Sequence, residues 1–243
     1  MIMTRWNLEP GSAEPATDML EDGSAFMNLN YYSGIYKKTN MPLPNEFAKW
    51  TICDPVPSKS GGRTCAVLGA KNEPISFTLP PLKSPFDALG YNDPDAERVN
   101  ISLEIGPENE EIVTWVKELD SQIIKLCRQN SNRLFPGKDI YLESDLKPMY
   151  FSPLKTNEKY GTHLFKCKLN KGTGRHACRV WNKGGLARES PQSWQGLTVQ
   201  CRVVLKSLWL QSRTFGLTFE VVDAMVAEDQ VSHECPFANG YEF

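Results

Sequence analysis

Three segments between residues 162 and 209 alternate apolar and basic side chains with a period of two, which is the pattern of half-buried β-strands. The segments are Thr162–Leu169, Arg175–Trp181 and Thr198–Trp209. One set of alternate positions is expected to face a shared core: His163, Phe165, Cys167, Leu169, His176, Cys178, Val180, Val199, Cys201, Val203, Leu205 and Trp209. The opposite set then gathers on one outer sheet face: Lys166, Lys168, Arg175, Arg179, Trp181, Arg202 and Lys206. The pattern therefore predicts an antiparallel sheet with a basic outer surface.

Other segments add one helix and further strands to this sheet. Ile112, Val116, Leu119 and Ile123 recur at helical spacing, which predicts a helix over Glu108–Gln129 that covers the sheet. Turn residues and β-prone runs predict the remaining elements. These are strands at Cys65–Leu68, Ile75–Leu79, Val99–Ile105 and Gly216–Val226, a hairpin turn at Lys171–Gly174 and a long loop between Leu79 and Pro94.

Charge is sorted along the chain more sharply than the formal net charge of −2 suggests. Residues 151–218 contain twelve Lys and Arg against two carboxylates, whereas six acids and no Lys or Arg follow Arg213. A basic block with an acidic end indicates a polyanionic partner. Wet faces of antiparallel sheets also carry Lys and Arg for solubility, but acids are then interspersed. Because Glu158 and Glu189 both fall in predicted turns, we expect an unbalanced basic face.

Aromatic side chains within the basic block favour a single strand over a duplex. Trp181 is predicted on the basic face, and Trp194 lies in the loop Ser190–Gly196, although each also suits a core position. Aromatic faces among cations suit unstacked bases, each stack contributing about 1–3 kcal/mol. Duplex readers usually present a helix to the major groove, and no basic helix is predicted. The candidate nucleic-acid-binding residues are Lys166, Lys168, Arg175, Arg179, Trp181, Trp194, Arg202 and Lys206.

Nothing in the sequence indicates catalysis or a cofactor. The seven cysteines form no CxxC pair, which favours reduced core thiols. The tightest metal-like cluster matches no familiar zinc module, and a packed core is the alternative explanation for its members, His163, Cys167, His176 and Cys178. No P-loop, HExxH, GxSxG or dinucleotide-binding glycine turn is present. We therefore expect no enzyme, no catalytic residue, no metal and no cofactor.

The final strands of the basic block resemble a known family. The stretch Gly196–Trp209 (GLTVQCRVVLKSLW), followed by FGLTFEVV from Phe215, is similar to the closing strands of single-stranded DNA-binding proteins of podophages and of large nucleocytoplasmic DNA viruses. The helix at Glu108–Gln129, followed by Phe151–Leu154 before a basic strand, occurs in a similar order in the viral proteins. An acidic tail that ends in Phe often follows in that family, as it does here at Phe243. The resemblance covers residues 100–226.

The resemblance implies a protein that coats single-stranded DNA, without sequence preference, during replication, recombination or repair. The predicted fold is α+β: an OB-like antiparallel β-barrel with a covering helix, an N-terminal arm and an acidic C-terminal tail. The predicted boundaries are 1–48 for a partly flexible arm, 49–228 for the nucleic-acid-binding domain and 229–243 for the tail. By analogy with the family, the tail contacts replication proteins. A homo-oligomer or filament on DNA is a further hypothesis.

Two other functions remain open at the level of the sequence. A structural or interaction protein, such as a minor virion component or an adaptor, could use the same basic face to dock an acidic partner. RNA could replace DNA, because nothing in the sequence separates a reader of the 2′-hydroxyl from an indifferent binder. No apolar run approaches the roughly 18 residues that a membrane span needs. We therefore expect an intracellular protein, and for a virus a location in the host nucleus or at a cytoplasmic replication site.

Overall fold

The computed structural model describes residues 43–58, 61–90, 96–135, 137, 140–157, 161–172, 174 and 176–227. All of these residues belong to one unit, Asn40–Phe243. Most of the predicted N-terminal arm, all of the predicted tail and the candidate residue Arg175 lie outside the described residues.

The described chain is mostly β-structure with one long helix. Four short strands come first: β1 (Thr51–Ile52), β2 (Val56–Pro57), β3 (Arg63–Cys65) and β4 (Val67–Leu68). Two long strands and three helices follow, namely β5 (Ser76–Lys83), β6 (Arg98–Ile105), α1 (Glu110–Gln129), α2 (Ser131–Leu134) and α3 (Glu143–Leu146). The remaining strands are β7 (Tyr150–Phe151), β8 (Leu154–Asn157), β9 (Thr162–Asn170), β10 (Arg179–Trp181), β11 (Ala187–Arg188), β12 (Thr198–Gln211) and β13 (Thr214–Val226). None of the helices in the described part of the chain combines the length and hydropathy of a bilayer-crossing segment.

Five strands pair with one another in a ring. β5 pairs with β6, β6 with β9, β12 with β13 and β12 with β5, all antiparallel. β9 and β13 close the ring as a parallel pair, with Lys168 opposite Glu220. The pairing between β5 and β6 is the shortest in the ring, because one residue pair, Lys83 with Glu104, joins these two strands. Most of the paired residues in the ring thus belong to the three long antiparallel pairings, β6 with β9, β5 with β12 and β12 with β13.

Three strands pair in succession, each over two or three residues, with one edge of β13. β7 pairs with Phe215 and Gly216, β9 with Glu220 and Val221, and β10 with the segment from Asp223, all of them parallel to β13. The chain therefore leaves β9, loops out and returns to the same edge of β13 in the same direction. The predicted hairpin turn at Lys171–Gly174 is wrong in this respect, because β9 and β10 do not pair with each other.

The core lies inside the ring and beneath α1. Phe219 contacts Phe165 and Phe77, with ring centroids 5.1 and 5.9 Å apart, and Phe77 contacts Trp115 of α1 at 4.8 Å. The helix buries one stripe of side chains, as its sequence spacing predicts, and these include Ile112, Val116, Leu119, Ile123 and Cys127. Burial raises the pKa of the Cys167 and Cys201 thiols, which leaves both uncharged in the core.

Two proline residues do not end β5 where the sequence predicts a loop. The strand continues through Pro80 and Pro81 to Lys83. Its pairing with β12 shifts register between Gln200 and Arg202, which is where Pro81 lies. Proline lacks an amide hydrogen and is tolerated at such irregularities, so the strand extends into the predicted loop.

The inward alternation of β12 changes partway along the strand. Val199, Cys201, Val203 and Leu205 are buried as predicted, but the next buried positions are Leu208 and Leu210. The register shift in the β12–β13 pairing between Leu205 and Ser207 explains the change, because it leaves Lys206 of β12 as one unmatched residue. The prediction that Trp209 faces the core is therefore wrong: Trp209 is half-buried, on the outward side.

Candidate nucleic-acid interface

The outward side of β9 carries two neighbouring lysines. Lys166 is exposed and Lys168 is half-buried, and they alternate with the buried residues Phe165, Cys167 and Leu169. This confirms the predicted alternation of the strand. Among the described residues neither lysine forms an ion pair with a carboxylate.

Lys168 lies at the centre of a cationic row that crosses three strands. It is opposite Asn100 of β6 on one side and Glu220 of β13 on the other. Burial, and then the nearby charges of Arg98 and Lys166, lower the pKa of Lys168 below its ordinary value. Because the positive charges of Arg98 and Lys166 repel the Lys168 ammonium group, an anion at this position would be attracted by all three cations.

The carboxylate of Glu220 is buried beneath the cations of the same row and contacts two of them. Its carboxylate accepts a hydrogen bond of 2.9 Å from Nη2 of Arg98 and lies 4.0 Å from Nζ of Lys206. The glutamate is buried, whereas more than half of the Arg98 side chain is exposed. Arg98 was not among the predicted site residues. The outward positions of β6 could have identified it, because it begins a strand whose alternation is clear from the sequence.

Asp223 organises a second group of predicted site residues. Nε and Nη2 of Arg202 lie 2.7 and 2.6 Å from Oδ2 of Asp223, and Nε of Arg179 lies 2.8 Å from Oδ1. The indole Nε1 of Trp181 donates to Oδ1 of the same carboxylate at 3.0 Å. The structure thus brings Arg179, Trp181 and Arg202 together around one buried aspartate.

These contacts correct the expectation of an unbalanced basic face. Glu220 and Asp223 belong to the acid-rich end of the sequence, but the structure places both in β13, between strands that carry the cations. We call the surface formed by these side chains the outer face. It consists of Arg98, Lys166, Lys168, Arg179, Trp181, Arg202, Lys206, Glu220 and Asp223.

Trp194 does not lie on the outer face. Its side chain is 1% exposed, and its Nε1 has no hydrogen-bond partner among the described residues. The loop folds inward because the backbone N–H groups of Trp194 and Ala88 both donate to Oδ1 of Asp87 at 2.8 Å. Desolvation raises the pKa of Asp87, but these hydrogen bonds and one from Ser193 outweigh it, and the pKa is lowered. The prediction that Trp194 stacks on bases is contradicted by this burial.

The two histidines of the predicted core set are not buried. His176 is exposed in a turn, because β10 begins only at Arg179 instead of near residue 175. His163 is half-buried, and its Nδ1 lies 3.1 Å from Oγ1 of Thr156. Within the described ranges no group of three or more His, Cys, Asp and Glu side chains is arranged to hold a metal ion.

Comparison with known proteins gives a distant structural likeness. No protein-family model matches the chain, and no curated protein matches it. A structure of the single-stranded DNA-binding protein from bacteriophage Enc34 in complex with single-stranded DNA is similar, with a TM-score of 0.42 and 15% identity over 72% of this chain and 96% of that chain. A second structure of that protein gives a TM-score of 0.42 and 16% identity over 78% and 96% of the two chains. Its C-terminal truncation gives 0.41 and 14% over 72% and 95%. Scores this low assign neither a fold nor a function to the present chain.

Proposed function

We propose that this chain binds single-stranded DNA on the outer face, without sequence preference, and acts in DNA replication, recombination or repair. The observation that carries the proposal is the adjacent pair Lys166 and Lys168. Both project from β9 into a row of cations, and among the described residues neither has a carboxylate partner. Phosphate groups supply the missing negative charge.

The ring of strands supports the choice of this face. We infer that the ring is an OB-like barrel, because five strands pair into a closed arrangement that is nearly open at one junction. OB-folds bind oligonucleotides on the face of their second and third strands. Counted along the ring strands in chain order, these are β6 and β9, which carry Arg98, Lys166 and Lys168. The order of the strands and the distribution of charge thus favour the same surface.

The composition of the outer face favours a single strand over a duplex. Trp181 is half-buried among the cations, and its hydrogen bond to Asp223 fixes the orientation of the indole ring. Aromatic rings beside cations suit unstacked bases. The one long helix of the described residues, α1, begins with Glu110 and Glu111, and its exposed residues mix acids with lysines.

The test compares the two lysines with a matched pair elsewhere. We expect Lys166→Ala/Lys168→Ala to weaken binding to an oligo-dT of about 30 nucleotides and to reduce the slope of log K against log salt by about 1.4, at roughly 0.7 per lost phosphate contact. Lys117→Ala/Lys125→Ala removes two exposed lysines from α1 and serves as the control. Fluorescence anisotropy at several salt concentrations, with a duplex of equal length alongside, measures both quantities.

Three outcomes contradict the proposal. The wild-type chain fails to bind the single strand at low salt, or it prefers the duplex, or the β9 and α1 pairs lose affinity equally. The first outcome would favour the alternative function, in which the outer face docks an acidic protein. An oligo-rU titrated in parallel decides between DNA and RNA.

A further inference from the structure

We propose that Phe151, Trp209 and Lys155 form a separate nucleotide-binding position at one end of β13, with the base on Phe151 and the phosphate on Lys155. The inference rests on the proposed function and adds to it a place where a base is received. None of the three residues is among the binding residues predicted from the sequence, and none belongs to the outer face.

The two aromatic rings meet across a glycine of β13. Gly216 is paired with Phe151 of β7 on one edge and with Trp209 of β12 on the other. The ring centroids of Phe151 and Trp209 are 6.0 Å apart, with the ring planes at 47°. A Cβ atom at position 216 would lie 2.8 Å from Cζ2 of Trp209 and 2.6 Å from the carbonyl oxygen of Phe151. The absence of a side chain at Gly216 therefore allows the indole to lie across β13 against Phe151.

A cation lies over the exposed ring of this pair. The Phe151 side chain is 48% exposed, and Nζ of Lys155 is 5.5 Å from its ring centroid. Lys155 is exposed on β8, opposite the outward residue Leu164 of β9. A nucleotide consists of a flat π-system and an anionic phosphate, so it matches both groups if the base replaces the Lys155 ammonium over the Phe151 ring and the lysine turns to the phosphate.

The position is in line with the outer face. Gly216, Thr218 and Glu220 are the outward residues of β13 at every second position, and the register shift at Val222 puts Asp223 on the same side. At about 3.3 Å per residue, Gly216 and Glu220 are roughly 13 Å apart. Glu220 is paired with Lys168, so a strand of DNA that follows β13 passes the lysines and reaches Phe151. The aromatic pair and the cationic row then contact one continuous ligand.

The experiment separates stacking from packing and from charge. We expect Phe151→Ala and Phe151→Leu to weaken binding of an oligo-dT of about 16 nucleotides by about 5- to 140-fold, the equivalent of one lost stack at 1.4 kcal/mol per factor of ten. Phe151→Tyr keeps the ring and should bind like the wild type. The salt slope should stay unchanged in all three variants and fall by about 0.7 in Lys155→Ala. Leu142→Ala removes a comparably exposed apolar side chain beside α3 and serves as the control.

Fluorescence adds a readout that a structural role would not change. Trp209→Phe should reduce the quenching that DNA causes in the wild-type chain, because the remaining described tryptophans apart from Trp181 are buried. Melting temperatures close to that of the wild type show that the variants fold. If the wild-type chain binds with strong salt dependence while Phe151→Ala binds equally well, this position is overturned and the proposed function stands. If the wild-type chain does not bind at all, both fall together.

Discussion

Asp223 determines how much positive charge the outer face offers to a ligand. It accepts hydrogen bonds from Arg179, Arg202 and Trp181, and two of these donors are the arginines predicted to contact phosphates. Their charges are therefore partly neutralised before DNA arrives. The cations that contribute most to affinity are then the lysines of β9, and the arginines are held in fixed positions around one carboxylate.

We expect Asp223→Asn to tighten binding of single-stranded DNA by roughly tenfold at low salt, because it removes one negative charge from the centre of the face and releases two arginines from it. The same change should lower the free energy of unfolding by about 1.5–3 kcal/mol, as expected for hydrogen bonds to a charged group. Anisotropy titration and thermal unfolding measure the two effects. Glu111→Gln on the exposed side of α1 is the control. Unchanged or weaker binding by the Asp223 variant would contradict the account.

Because of Lys168, we expect both the stability of the protein and its affinity for DNA to depend on pH. Burial and the charges of Arg98 and Lys166 lower the pKa of Lys168 below 10.5. Between the lowered pKa and 10.5 the unfolded chain binds more protons than the folded one, so the contribution of this group to stability rises with pH. DNA binds the charged form of Lys168 more tightly than the neutral form. The affinity of the protein for DNA should therefore fall as the pH rises through the same range. Lys168→Arg stays charged and should remove most of this fall, whereas Lys117→Arg on α1 should not. Parallel pH profiles of the three chains would refute the assignment.

At the level of elements, the alternation of the strands predicted most of what the structure contains. The predicted helix is present as α1, and the strands at Val99–Ile105 and Thr162–Leu169 are present within β6 and β9. The orientation of Trp209 could not be predicted, because in the apolar run Leu208–Leu210 the sequence fits either phase and only the pairing of β12 with β13 decides between them. Burial of Trp194 was equally hidden, since it depends on Asp87, 107 residues earlier.

The close contact between Gly216 of β13 and Trp209 of β12 predicts how a substitution of this glycine affects stability. Gly216→Ala would place a methyl group against the Trp209 ring and the backbone of β7. We expect a loss of about 1–3 kcal/mol in the free energy of unfolding and a red-shifted tryptophan emission, as the indole moves into water. At Gly69 an added Cβ meets its nearest atoms at an ordinary 3.5 Å, so Gly69→Ala is the matched control. Equal stability of the two variants would show that the indole does not depend on Gly216.

At the level of the whole molecule, the sequence indicated a basic block and an acidic end but not how the two are arranged. The charge sum along the chain separates residues 151–218 from the residues after them, whereas the fold inserts β13 between β9 and β12. Long-range pairing therefore mixes charges that are separate in the sequence. This is why the basic side of β9 was predicted correctly and the carboxylates beneath the arginines were missed.

The parallel pairing of β9 with β13 also has a consequence for the order in which the strands can pair during folding. Lys168 and Glu220 are opposite each other in the sheet across roughly fifty residues of chain, and folds dominated by such non-local pairings form slowly, on a scale of about milliseconds to seconds. Because β13 follows every strand with which it pairs, the edges of β9 and β12 stay open until it arrives. During that interval Arg179 and Arg202 lack their carboxylate. We therefore expect a chain that stops before β13 to be more cationic and more prone to associate than the full chain.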